Sequence, residues 1–136
     1  MKIDYYKELL NFFSSNVIFE HDLKKKNWFN IGVKSKIFFK SYNLKDLVNF
    51  LKKLNNKEKI FILGAGSNTL INDNLFDGVV IKLGKNFNNI SLLGEDIIIA
   101  GSAVLDSSLS DYALKNELSG FEFLSCIPGT IGGGIG

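Results

Sequence analysis

The sequence predicts an α+β protein assembled from two small subdomains, and three observations lead there. An apolar run at Ile60–Leu63, bounded by glycine, follows a stretch of helical periodicity, so strand, helix and strand succeed one another between residues 36 and 63. The pattern then changes near 84–89, where a hairpin and a helix replace that order. Two runs of small residues, one starting at Gly64 and one at Pro128, punctuate the two halves.

Residues 4–15 read as an amphipathic helix with Tyr5, Leu9, Phe12 and Phe13 on one face. Val17–Glu20 is a short extended piece and Lys36–Lys40 a strand. Leu44, Leu47, Val48, Leu51 and Leu54 recur at helical spacing, which predicts a helix over about 44–54 with one apolar face, and Asn43 stands where an N-cap belongs. Ile60–Leu63 is too short for a helix and reads as a buried strand; with the preceding strand and helix it forms a βαβ unit with parallel pairing. Thr69–Asn72 reads as extended, Asp73-Asn74 and Asp77-Gly78 as turns, and Val79–Leu83 as a further strand. Ile90–Leu93 and Ile97–Ala100, separated by Gly94-Glu95-Asp96, predict a hairpin. Val104, Leu105, Leu109, Tyr112, Ala113 and Leu118 suit a helix over about 104–117, closed by Ser119-Gly120, with Phe121–Leu124 as a short strand or turn. Pro128-Gly129-Thr130 reads as the start of a loop-to-helix element.

Of the 136 residues, 46% are hydrophobic and 22% charged, the balance of a soluble globular chain able to bury a core. A net charge of +2 gives no reason to expect a nucleic-acid partner. All 16 basic residues are lysine, so the bidentate guanidinium grip on a phosphate or carboxylate has no residue to make it. Cys126 is the only cysteine, which rules out an internal disulfide and fits a reducing compartment. No apolar run approaches membrane-spanning length and the first residues carry no signal-peptide pattern. A cytoplasmic monomer with no membrane partner is expected.

Gly64-Ala65-Gly66 invites comparison with a dinucleotide fingerprint and fails it. The third glycine of G-x-G-x-x-G would fall at Thr69, and an extended segment, not a helix, follows. Two readings of the loop remain: a tight structural turn, or a nest of backbone N–H groups for an anion, with Ser67 and Asn68 adding side-chain donors. The run from Pro128 to Gly134 is a second small-residue loop with many N–H groups and a hydroxyl at Thr130. Two such loops in a small chain point to a ligand with an extended anionic part such as a diphosphate, met here by backbone dipoles, lysines and hydroxyls. Lys24-Lys25-Lys26 reads as a solvated loop or, more sharply, as a phosphate contact. His21 reads as a surface histidine, Cys126 as a buried core thiol rather than a nucleophile, and Trp28 as core or lid packing. Glu117 and Glu122 lack support as an acid/base pair, and Asp73 with Asp77 misses the spacing of a calcium loop, so no metal site is expected.

Four stretches then occur in order: Asn27-Trp28-Phe29-Asn30-Ile31-Gly32; Ile62-Leu63-Gly64-Ala65-Gly66-Ser67-Asn68-Thr69-Leu70; Gly78–Leu83; and Gly120–Leu124 with Ile127-Pro128-Gly129-Thr130-Ile131-Gly132-Gly133. Together they resemble the UDP-N-acetylenolpyruvoylglucosamine reductases (UDP-N-acetylmuramate dehydrogenases), flavoenzymes of peptidoglycan precursor synthesis, over about residues 27–136. The resemblance implies an α+β FAD-binding domain of the p-cresol methylhydroxylase/vanillyl-alcohol oxidase type, incomplete at its C-terminal end. Residues 1–26 would be an N-terminal helix and lead-in, 27–84 the first FAD-binding subdomain and 85–136 part of the second. Gly64, Ala65, Gly66, Ser67 and Asn68 would cradle the FAD pyrophosphate, and Pro128, Gly129, Thr130, Gly132 and Gly133 would line the cofactor from the other side. NADPH would be the co-substrate and a UDP-sugar the substrate.

This sequence departs from the family's pattern in several places. Trp28 stands where many members have threonine, and Val33 where they have a second glycine. The family's catalytic arginine, proton-donating serine and glutamate, and its substrate-binding domain, would lie beyond Gly136, so no catalytic residue is assigned in this chain. The expectation is an FAD-binding fragment that is inactive alone and binds FAD weakly or not at all. Another flavin oxidoreductase of the same fold, or a non-enzymatic nucleotide-binding remnant, are the rival readings.

Overall fold

The computed structural model describes residues 7–8, 10–12, 16–54, 58–72 and 75–136. The expected 4–15 helix lies largely outside them; residues 7–8 and 10–12 are helical, and the Phe12 ring lies 4.0 Å from the Lys53 Nζ above it. The main sheet holds β1 (Asn16–Asp22), β2 (Lys34–Ser41), β3 (Lys59–Ile62) and β4 (Phe76–Leu83) in the order β1-β2-β4-β3. β1 runs antiparallel to β2, while β2 and β3 each run parallel to β4. The parallel pairing expected of the βαβ unit is present, but β4 lies between its two strands.

That insertion explains which residues are buried. β4 has a strand on both sides and packing on both faces, so Val79, Val80 and Ile81 are all buried, as a continuous apolar run requires. One face joins Ile37, Phe39, Val79 and Ile81 to Phe50 of α1 (Leu44–Lys53) and to Leu54, which caps its C-terminal end. The other joins Phe38 and Val80 to Leu23 and Leu63. β3, by contrast, is an edge strand. Ile60, Phe61 and Ile62 are exposed, contrary to the buried strand expected, and only Leu63, just past the strand, is buried.

Asn43 caps α1 as expected, its Oδ1 accepting the Asp46 N–H at 2.8 Å and its Nδ2 donating to Asp46 Oδ2 at 2.9 Å. The buried ridge of α1 differs from the leucine pattern, however. Leu44, Val48 and Leu51 are exposed, and Leu47, Phe50 and Leu54 face the sheet. The Phe50 ring stacks on Phe39 with centroids 3.9 Å apart, and this large aromatic contact sets the rotation of the helix. Asp77-Gly78 is not a turn but lies inside β4, where a Cβ on Gly78 would come within 2.5 Å of the Lys59 carbonyl oxygen on β3. Thr69–Asn72 forms no regular strand, and Asp73-Asn74 lie outside the described residues.

Beyond a 3-10 turn at Lys85–Phe87, the hairpin forms as expected from β5 (Ile90–Leu93) and β6 (Ile97–Ala100). α2 (Asp106–Lys115) is shorter than the 104–117 expected; it closes at Asn116, and Glu117 takes a positive φ of 59°, so Ser119-Gly120 lie past its end. Of Phe121–Leu124, the last three residues enter a 3-10 turn, Glu122–Cys126, and Phe121 precedes it. The loop-to-helix reading of Pro128–Thr130 is borne out by α3 (Ile131–Ile135), capped by Thr130.

Candidate functional site

The chain leaves β3 at Ile62, tucks Leu63 into the core with its N–H on the Ile81 carbonyl at 2.9 Å, and enters the glycine loop. Two of the loop's carbonyls are held by the body of the protein. Gly64 O accepts from Lys82 Nζ at 2.6 Å, and Gly66 O accepts the Trp28 N–H at 3.0 Å. Gly66 has φ +74°, and a Cβ there would collide with the Lys26 carbonyl oxygen and lie 2.9 Å from Asn27 Cα. Only glycine fits that conformation and that approach without strain. The segment it leans on is itself pinned: buried Asn27 donates from Nδ2 to Leu23 O at 3.1 Å and to Ile31 O at 2.7 Å.

The loop's donors are the counterpart. Among the described residues, no N–H from Gly64 to Thr69 donates to a backbone carbonyl. Two carbonyls held by the protein and N–H groups left for a ligand suit an anion nest. The second loop is different. Gly129 N–H bonds to Ile127 O, Ile131 N–H to Val104 O, Gly132 N–H to Ser102 O, Gly133 N–H to Thr130 Oγ1 and Gly134 N–H to Thr130 O. Of the donors that its sequence advertises, those of Gly129 and of Ile131 to Gly134 are engaged internally and, among the described residues, only the Thr130 N–H is not, so this loop offers few N–H groups to a ligand. Its glycines permit close packing: a Cβ on Gly132 would stand 2.8 Å from Ser102 O, and one on Gly129 2.6 Å from Asp106 Oδ2.

The two loops face each other. A Cβ on Gly64 would come within 2.8 Å of Thr130 Oγ1. Around this contact lie two adjoining cavities of about 520 and 350 Å³ that share Ile62, Gly64, Ala65, Thr130 and Gly133. The larger opens between Lys82, Leu83, Ser102 and Ala103; the smaller runs past Ser67, Asn68 and Asp106. A further cavity of about 350 Å³ follows, beside Ala65, Trp28 and Cys126. All ten residues singled out in the sequence, Gly64 to Asn68 together with Pro128, Gly129, Thr130, Gly132 and Gly133, border these cavities.

Other readings change. Cys126 is exposed, not a core thiol, because the 3-10 turn that carries it lies on the surface. Trp28 is 62% exposed and borders the third cavity instead of joining the core. His21 is half-buried against Phe38, ring centroids 4.3 Å apart, with Nε2 buried and unpartnered, because the positive φ of Glu20 (49°) breaks the alternation of β1 just before it. Burial first, and then the charge of Lys26, hold its pKa below the usual imidazole range against the opposing pull of Asp22. Glu122 is engaged by the Gly120 N–H at 2.8 Å. Among the described residues there is no group of three side chains able to hold a metal ion. The sequence reading passed over Lys82 and Asp106. Lys82 carried a signal, a charge inside the apolar run Val79–Leu83; Asp106, 3% exposed, carried none beyond its place at a helix start.

The geometry fits a dinucleotide cofactor. A loop with N–H groups suited to a diphosphate stands opposite a second loop whose glycines let it pack closely on Ser102 and Asp106, and the two loops border adjoining cavities. The profile of the FAD binding domain family matches residues 36–136. The chain belongs to this family. It is 64% identical over 135 residues to UDP-N-acetylenolpyruvoylglucosamine reductase of Pelagibacter ubique (strain HTCC1062), an alignment covering 99% of this chain and 45% of the relative. It is 48% identical over 116 residues to the protein of the same name from Rickettsia typhi (strain ATCC VR-144 / Wilmington), covering 85% of this chain and 39% of that one. The crystal structure of UDP-N-acetylenolpyruvylglucosamine reductase from Thermus caldophilus superposes with a TM-score of 0.70 at 25% identity, over 90% of this chain and 41% of that chain. The FAD-binding α+β fold is thus borne out, and the chain spans less than half the length of these relatives. Among the described residues no helix is long and apolar enough to cross a membrane.

Proposed function

We propose that the chain is the FAD-holding portion of an NADPH-dependent UDP-N-acetylenolpyruvoylglucosamine reductase, acting in the cytoplasm on a precursor of peptidoglycan. The observation that carries this reading is the Gly64–Thr69 loop, with the Gly64 and Gly66 carbonyls engaged inward and its N–H groups donating to no backbone carbonyl among the described residues, set against Thr130 across a cleft. Gly64, Ala65, Gly66, Ser67 and Asn68 hold the pyrophosphate. Pro128, Gly129, Thr130, Gly132 and Gly133 form the opposing wall, which contributes shape more than hydrogen bonds because the N–H groups of Gly129, Gly132 and Gly133 are already engaged. When bound, FAD supplies hydride transfer from NADPH to the enolpyruvyl double bond of the UDP-sugar.

The chain's own residues bind and orient. The nest fixes the diphosphate, Gly64 lets the two loops approach at Thr130, Gly132 lets the second loop pack on Ser102, and Leu63, Leu83 and Leu105 keep one side of the cleft apolar. The 136 residues alone bind FAD weakly, as a monomer, and do not turn over the UDP-sugar, a reading supported by their spanning less than half the length of the reductases they match. Titration of FAD against the purified chain, followed by flavin fluorescence, tests the reading. A saturable fluorescence change that riboflavin does not reproduce at the same concentration supports it. FAD without effect at millimolar concentration, or NADPH-dependent turnover of the UDP-sugar by this chain alone, contradicts it.

A further inference from the structure

An ammonium group stands under the glycine loop, and the cradle as described makes no use of its charge. Lys82 interrupts the apolar run of β4, is half-buried and borders the larger cavity. Its Nζ donates to Gly64 O at 2.6 Å, which is its one hydrogen bond among the described residues. An ammonium carries three donors, so two remain. Lys40 is its cross-strand partner in the β2–β4 register. Burial first, and then the charges of Lys26 and Lys40, push the Lys82 pKa down. No carboxylate compensates this cluster: the ion pairs among the described residues join Lys34 to Glu20, and Lys36 to Glu58 and Asp77. A half-buried positive group with no carboxylate paired to it among the described residues is unfavourable, and an anion in the cleft offsets that penalty. The chain has no arginine to take that role.

We propose that Lys82 is the counter-ion of the FAD diphosphate, its ammonium steadied by the Gly64 carbonyl and its remaining N–H donors turned to the ligand's charge, with Lys26 and Lys40 adding longer-range attraction. The arrangement parallels the phosphate-binding loops in which a lysine supplies the charge that backbone N–H groups lack. This inference rests on the FAD reading of the cleft. A lysine that only propped the loop would act through its hydrogen bond to Gly64, and its charge would be incidental.

FAD titrations on the full chain at ionic strengths of about 20 and 500 mM separate the two roles. Lys82→Gln keeps a donor for the Gly64 carbonyl and loses the charge. It is expected to bind FAD about 10-fold more weakly at low salt, with the gap to wild type narrowing at high salt. Lys82→Arg is expected to retain most of the affinity. Lys26→Gln, which leaves the loop's hydrogen bond untouched, is expected to weaken binding about 2-fold at low salt only, and decides the matter if Lys82→Gln does not fold. Equal affinity of Lys82→Gln and wild type at low salt, or a deficit of the same size at both salts, overturns the counter-ion role while leaving the FAD site standing. A wild-type chain that takes no FAD overturns the FAD reading and the Lys82 role with it.

Discussion

Replacing Gly66 by alanine tests the architecture of the glycine loop. The backbone at Gly66 has φ +74°, a conformation that costs an L-residue about 1–2 kcal/mol. The added methyl also collides with the Lys26 carbonyl oxygen and comes within 2.9 Å of Asn27 Cα, both backbone atoms that no rotamer change can clear. Relief requires the loop and the Lys26–Asn27 segment to part, which breaks the 3.0 Å hydrogen bond from Trp28 N–H to Gly66 O, worth about 1 kcal/mol. The sum is about 2–3 kcal/mol, or a fall of about 8–12 °C in Tm for a chain of this size. Gly94→Ala is the internal control. Its φ is similar at +69°, but nothing lies within 4 Å of the new Cβ, so only the conformational cost of about 1–2 kcal/mol applies. Urea denaturation of the two variants beside wild type measures the difference. Equal losses, within about 0.5 kcal/mol of each other, would refute the close packing of the loop on Lys26–Asn27.

Other perturbations follow from the same contacts. Gly64→Ala places a methyl 2.8 Å from Thr130 Oγ1, so it should weaken FAD binding at least 10-fold while Tm falls by only a few degrees; an affinity equal to wild type would argue against a shared cradle. Phe50→Ala removes a fully buried ring stacked on Phe39 and should destabilise by about 3–5 kcal/mol in the same urea assay. Asn43→Ala deletes the N-cap of α1 and should lose about 1 kcal/mol. His21, held below the usual imidazole pKa, resists protonation in the folded chain. The unfolded chain therefore takes up the proton first, and the stability present above a pH of about 6.5 is lost as pH falls toward the folded value. Wild type should lose more stability between pH 7 and 5 than His21→Gln, and parallel curves would exclude that contribution.

Local signals in the sequence found most elements and both loops. The hairpin, the cap at Asn43 and the glycine loop each announce themselves within a few residues. What the sequence concealed depends on contacts distant in the chain. The exposure of Ile60, Phe61 and Ile62 follows from β4 taking the place beside β2, which no local pattern specifies. Phe50 fell outside the leucine periodicity of α1 because its burial depends on stacking against Phe39, eleven positions earlier on another element. Gly78 resembled a turn residue because close backbone approach and turn geometry call for the same amino acid. In the site, the residues of both loops were legible, but not that one loop keeps its N–H groups free while the other engages them internally. Asp106 became visible only when folding set its carboxylate against Gly129.

The central claim is that the free N–H groups of the Gly64–Thr69 loop receive the diphosphate of FAD. Backbone amide resonances of the isotopically labelled chain, followed during addition of FAD and separately of riboflavin, test it most directly. The account predicts that the amides of Ala65, Gly66, Ser67 and Asn68 shift most with FAD and stay in place with riboflavin, while those of Gly132 and Gly133, already bonded within the protein, move less. Shifts with FAD centred elsewhere in the chain, with the loop amides unmoved, would contradict it.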